Sequence, residues 1–342
     1  MAKDIKKVKS KPILDGKYWM IGDNPDLGNL NGKKPYPGFS IGETQECVDH
    51  HIFQTEDGSW HLWGCIRSTA VGRILYHWKA ESLTRKHWKQ TGEYIRVDAS
   101  YGESLQDDGY SDLNKDEIIQ SPFIIHNNGL YYMFYGGGPT RTDLLGHSLP
   151  KDDPGITWQI CLMTSKDGKN WTRLQNKDGH SRLFKGPGFV RDPCVLKIEM
   201  ENENLWLLYY AGYFDNNLYK PAFFVRTSKD LISWSDNMII HYDISGMFGS
   251  GSCSCECPHV AKREGYYYLF RTEHYPSGKT HVFRSENPFD FGIVNARDKF
   301  VCSIYCAAPE IIVDSKTGEE YITSNHDLTS GTQICKLKWV NE

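Results

Sequence analysis

Three acidic residues stand at matching places in the chain, each at the head of a short apolar strand. They are Asp49 in Val48-Asp-His-His-Ile-Phe53, Asp192 in Arg191-Asp-Pro-Cys-Val-Leu196, and Glu256 in Glu256-Cys-Pro-His-Val-Ala261. Alone, each reads as a turn acid. Brought together in one cleft they become a chemical device. Burying like charges is costly unless one group keeps its proton or a cation answers the others. An ionised carboxylate beside a protonated one is an acid–base pair, and Arg191 next to Asp192 offers the compensating charge.

What could bring them together is a repeat. Two further phrases share the pattern, Gln120-Ser-Pro-Phe-Ile-Ile125 and Ala307-Ala-Pro-Glu-Ile-Ile312. Taking His50 and then the prolines as anchors, the five openers are 72, 71, 65 and 51 residues apart. Each is followed by a turn and a second apolar strand, such as Asn128-Gly129 before Tyr131-Tyr-Met-Phe-Tyr135. The middle copies add a third strand and an outer Ser-Lys-Asp-x-x-x-Trp turn, ending at Trp171 and Trp234. Four short strands, five times over, describe an all-β, five-bladed β-propeller whose inner strands line a central axis. Residues 45–342 are assigned to it. Residues 1–44, rich in Gly, Pro, Asn and Asp, are read as an irregular N-terminal arm packing outside the propeller, or as a route to a homodimer.

Composition agrees. Aromatic residues make up 13% of the 342, and 31 glycines punctuate the apolar runs. Lys plus Arg (39) nearly balances Asp plus Glu (43), which argues against a nucleic-acid or membrane partner. The start carries no apolar signal segment, so the expectation is a cytoplasmic protein if Met1 is the native start and a periplasmic or secreted one if a leader was removed. Ten cysteines without framework spacing read as small buried thiols.

In a propeller the three acids, from blades one, three and four, would meet at one mouth of the axis. One carboxylate as base or nucleophile and another as proton donor is the requirement of glycosidic bond cleavage. Glu256, flanked by two aspartates and partly desolvated, is expected to hold its proton. It lies one residue out of register with Asp49 and Asp192, so a bulge or its longer side chain must bring it in.

These residues carry a resemblance. Arg191-Asp-Pro193 and Glu256-Cys-Pro258 resemble the second and third acidic motifs of the β-fructosidases (glycoside hydrolase family 32). Glu256-Cys-Pro-His259 before Gly265-Tyr-Tyr-Tyr-Leu-Phe270 resembles the glutamate strand of family 43, the arabinofuranosidases, arabinanases and xylosidases. Both families are five-bladed propellers with acids in the order Asp, Asp, Glu. The resemblance implies that Asp49 is the base or nucleophile, Asp192 the supporting acid and Glu256 the general acid. It departs from both families in blade one. Asp23-Asn-Pro-Asp26 is a scrambled echo of the fructosidase opening, and Asp49-His50 stands where family 43 has Asp-Pro. The neoagarobiose hydrolases (family 117), in which a His assists, are a related branch.

The expectation is therefore a glycosidase acting on a furanose-type or related sugar of an oligo- or polysaccharide, inverting by likeness to family 43. A retaining β-fructofuranosidase-like or neoagarooligosaccharide-hydrolase-like enzyme is the alternative, and a non-catalytic sugar-binding propeller the rival outside enzymology. His50, His51, Trp63, Ser121, Tyr135, Arg191 and His259 are candidate substrate contacts. No cofactor is required by this chemistry; His326 is the candidate to hold a Ca²⁺-like ion or a water on the axis.

Overall fold

Hairpins formed by strongly β-prone runs and tight turns generate the architecture. Asn128-Gly129 and Glu264-Gly265 each place two successive residues at positive φ (52° and 75°; 48° and 83°), the backbone of a two-residue hairpin turn that matches strand twist. The computed structural model describes residues 7–32, 45–103, 105–106, 116–138, 158–200, 203–214, 220–251 and 254–342. They form five antiparallel sheets arranged as a five-bladed β-propeller.

Blade one contains Glu46–Gln54, Trp60–Thr69, Gly72–Ala80 and Lys89–Ile95, from axis to rim. Blade two contains Ile119–Asn127, Leu130–Gly137 and Gln159–Ser165, with Thr172–Arg173 and Arg182–Lys185 outside. Blade three runs Arg191–Met200, Glu203–Tyr213, Pro221–Ser228, Met238–Asp243. Blade four runs Glu256–Arg263, Tyr266–His274, Lys279–Ser285, Phe300–Tyr305. The expected outer turns are built alike. Ser165 Oγ caps the amides of Asp167 and Gly168 (3.2 and 2.9 Å), and Ser228 Oγ those of Asp230 and Leu231 (3.1 and 2.8 Å). Apolar side chains pack mainly between neighbouring blades, so the core is distributed around the ring.

Blade five corrects one expectation. The N-terminal arm is not wholly irregular: Ser10–Leu14 and Trp19–Asp23 are strands, and both pair with Gly331–Asn341. The other strands of that blade are Ile311–Val313 and Glu320–Ser324, so the two ends of the chain complete one sheet. These strands escape a sequence reading because each has five residues and pairs on one side only, where Pro12 is tolerated and alternation is too short to stand out. Residues 1–6 and 33–44 of the expected arm lie outside the described residues.

Ile21 anchors this closure, fully buried with Leu62 and Ile334. Ile21→Ala is expected to destabilise the fold by about 2–5 kcal/mol through lost burial and the cavity left behind. Equilibrium unfolding in urea checks this; a change below about 1 kcal/mol would mean that the N-terminal strands do not close the ring.

Candidate active site

The openers converge because each inner strand carries the same backbone irregularity. Asp49, Ser121, Asp192, Cys257 and Ala308 all have positive φ, at 26°, 51°, 57°, 52° and 49°. They are five of the ten such non-glycine residues among those described, so the strain is concentrated at one place in the repeat. The strand ladders shift register there, between Val48 and His50, between Arg191 and Cys194, and between Glu256 and His259. The extra residue re-aims its neighbours. This is the bulge that Glu256 required. In blade four the left-handed position belongs to Cys257, and Glu256 is equivalent to Arg191 in blade three.

Four of these five side chains, all but Ala308, form one hydrogen-bonded group. Ser121 Oγ lies 2.8 Å from Asp49 Oδ2 and 2.7 Å from Asp192 Oδ1. The amide of Cys257 donates to Asp192 Oδ2 at 2.9 Å. The Cys257 thiol lies 3.5 Å from Asp49 Oδ1, and the Tyr275 hydroxyl bonds both to that oxygen and, at 2.8 Å, to the Cys257 sulfur. Glu256 joins through Arg191, whose Nη2 donates to Glu256 Oε1 at 3.0 Å while Nε sits 3.6 Å from Asp192 Oδ2. Arg191 is held in turn by the Phe189 carbonyl (3.1 Å) and lies over the Tyr213 ring at 5.6 Å. Fully buried Arg271 fixes the approach to Glu256 by donating twice to the Ser254 carbonyl, at 2.9 and 2.8 Å, and to His241 at 3.0 Å.

The electrostatics set burial against pairing. Burial pushes the Asp192 carboxyl up to about 7, helped by Asp49, while Arg191 and the Cys257 amide oppose. Glu256 is also raised, first by burial, against Arg191, with a further push from Asp49. The expected rise of Glu256 is thus present, but its causes are burial and one aspartate rather than two. Asp192 is shifted as well.

The remaining candidates divide. His50 and His259 line the axial cavity together with Asp49, Asp192 and Glu310, whereas Glu256 is not part of that lining and reaches the group through Arg191. Burial lowers both imidazoles, His259 to about 4, so they are neutral. His259 Nε2 accepts the Ile311 amide at 3.2 Å, and the side chain near enough to act on the His50 ring as a hydrogen-bond partner is that of Asn325. His51 is bonded to Glu310 at 2.6 Å and packs on Phe123, occupied inside the hub. Trp63 and Tyr135 are not open to a ligand. Both fill the interface between blades one and two, Trp63 stacked on His77 at 4.6 Å and Tyr135 bonded to buried Glu103. Each sits within a second strand, where side chains serve packing between blades. His326 bonds Ser324 Oγ at 2.7 Å between the rings of Tyr18 and Tyr305, away from the cavity lining. The His, Cys, Asp and Glu ligand atoms clustered closely enough to share an ion, among the described residues, are those of Asp49, Asp192 and Cys257. Tyr275 was missed because it follows its strand in an aperiodic turn. Cys257, read as a packing thiol, belongs to the hub ring.

A stability test follows from Asp192. Unfolded, an aspartate ionises near pH ~4, whereas in the folded chain Asp192 keeps its proton to about 7. Between those values the folded state binds the extra proton, so this group's contribution to stability is present at low pH and lost as pH rises. Asp192→Asn removes the dependence. Its melting temperature relative to wild type is expected to improve from pH 4 to pH 8 by calorimetry; a constant difference would contradict the raised carboxyl.

No family model matches the chain, and no curated protein matches it in sequence. The fold is nonetheless similar to solved propellers. An endo-arabinase from Bacteroides thetaiotaomicron is 15% identical at a TM-score of 0.57, over 85% of this chain and 94% of that one. An α-L-arabinofuranosidase from Lactobacillus brevis is 10% identical at 0.53, over 85% and 90%. A family 32 β-fructofuranosidase from Bombyx mori, in complex with sucrose, is 15% identical at 0.55, over 85% of this chain and 60% of that one. What this chain shares with them is the five-bladed β-propeller fold.

Proposed function

We propose that this protein is a glycoside hydrolase cleaving a furanose-type or related sugar from an oligo- or polysaccharide, with Asp49 as base, Glu256 as general acid and Asp192 as supporting acid. The observation that carries the reading is the linkage of acids from blades one, three and four in one cluster, Asp49 to Asp192 through Ser121 and Asp192 to Glu256 through Arg191. The similar solved propellers, an endo-arabinase, an arabinofuranosidase and a β-fructofuranosidase among them, support the substrate class.

The environments suit the roles. Asp49 is surrounded by donors, the hydroxyls of Ser121 and Tyr275 and the thiol of Cys257, and these favour a charged acceptor able to take a proton from water. Glu256 has its carboxyl raised by burial, which keeps a proton available for the departing oxygen. Arg191 limits that rise and fixes the carboxyl in place. As the bond breaks, Glu256 would protonate the leaving group while Asp49 deprotonates a water attacking the anomeric carbon from the opposite face. That course inverts the anomeric centre and needs roughly 6.5–9.5 Å between base and acid, against roughly 5–5.5 Å for retention.

Two measurements test this. Glu256→Gln should lower turnover of unactivated oligosaccharides by about 10²–10⁴-fold and that of aryl glycosides with good leaving groups far less, since these need little protonation. Asp49→Asn should be nearly inactive on both. Equal losses on both substrates in the Glu256 variant would remove it from the acid role. The anomer formed first, followed by NMR, should be inverted; a retained product, or a sugar trapped covalently on Asp49, would identify Asp49 as nucleophile.

A further inference from the structure

The Ser121 hydroxyl sits within hydrogen-bond distance of two carboxylates, 2.8 Å from Asp49 Oδ2 and 2.7 Å from Asp192 Oδ1, and is buried. A hydroxyl has one hydrogen to donate. If both aspartates were ionised, one of these contacts would set lone pair against lone pair at 2.7–2.8 Å in a poorly solvated hub. A second proton must therefore lie on one of the carboxyls. The other contacts favour Asp192 as its holder. Asp49 Oδ1 already collects the Tyr275 hydroxyl and the Cys257 thiol, donors that favour charge, and Asp49 is the less buried of the two.

We propose that Asp49, Ser121 and Asp192 act as one proton-holding unit, in which Asp192 is a carboxylic acid donating to Ser121 Oγ and Ser121 donates to an ionised Asp49. The unit carries one negative charge rather than two. Groups facing Asp192 from the neighbouring elements act in both directions. Asp49 and Glu256 favour its protonation, while Arg191 and the Cys257 amide favour its ionisation; the raised carboxyl noted above is consistent with the first pair and burial prevailing. Ser121 is then a positioning residue: it fixes which aspartate is the base and keeps the other neutral. The role in turnover rests on the glycosidase reading, but the proton count does not.

The backbone makes the test clean. Ala308 and Cys257 hold the equivalent hub position in blades five and four at φ 49° and 52°, so Ser121→Ala and Ser121→Cys both fit the left-handed conformation. The measurement is a pH titration of the full chain labelled with ¹³C at the aspartate carboxyls, followed by NMR. Wild type is expected to show one aspartate titrating near neutrality that disappears in Asp192→Asn. In Ser121→Ala the neutral acid loses its acceptor, so this titration should move down by about one pH unit, with a smaller shift in Ser121→Cys. The proposal is overturned if no aspartate titrates above roughly pH 6, if the neutral titration persists in Asp192→Asn, or if Ser121→Ala leaves it in place. The titration seen in a protein inactive on every glycoside would uphold the proton unit and reject the glycosidase reading. Activity without the titration would do the reverse.

Discussion

Each blade turns through left-handed backbone at the position nearest the axis, and the site depends on that repeated distortion. For residues other than glycine the conformation costs on the order of 1–2 kcal/mol each. It persists in Asp49, Ser121, Asp192, Cys257 and Ala308 because the flanking ladders and cross-blade bonds over-determine it. A regular strand would alternate side chains between faces and could not deliver Glu256 and Asp192, which stand at different offsets from their prolines, to the same mouth. The bulge removes that restriction. The prolines that follow in four blades fit the same place, since a residue beside a broken ladder loses little by lacking an N–H.

Gathering acids at such a hub raises an electrostatic difficulty that the neighbourhood answers by donors more than by countercharge. Arg191 is the cation bonded to the cluster, shared between Glu256 and Asp192. The other donors to the aspartates among the described residues are neutral: a serine, a tyrosine, a thiol and a backbone amide. Donors of this kind stabilise a carboxylate without cancelling its charge. A second arginine would instead pair the charge directly and leave the carboxylates less basic.

The frame of the molecule was legible in its sequence because it is written five times. Openers, hairpin turns and outer Ser-Asp turns recur with the same residue types, and agreement between copies outweighs the ambiguity of any one strand. The same logic marked Asp49, Asp192 and Glu256, since departures from a repeat stand out against it. What lay outside the repeat was not legible. Tyr275 sits in an aperiodic turn, and its approach to Asp49 depends on how blade four is tilted against blade one. The strands Ser10–Leu14 and Trp19–Asp23 find their partner more than 300 residues away. Trp63 and Tyr135 show the opposite error: aromatic residues near an active mouth suggest stacking on a sugar, but a second strand spends them between blades.

The axial residues also hold the blades to one another. Blade five has the shortest inner strand, three residues from Ile311 to Val313, and so the least ladder near the axis. Polar ties take over there. Glu310 bonds the His51 ring and the Ile52 amide of blade one, while Ala308 and Ile311 donate their amides to Thr272 and His259 of blade four. Asp192 plays the same part between blades three and four through the Cys257 amide. Buried polar groups of this kind add little net stability against an apolar alternative, but they are directional and select one arrangement among near-equals. A site assembled from separate blades needs that selection more than it needs stability. Asp192 shows both sides of this: one carboxyl oxygen joins Ser121 and through it Asp49, while the other takes the Cys257 amide of blade four and faces Arg191, so the same side chain ties the acids to one another and the blades together.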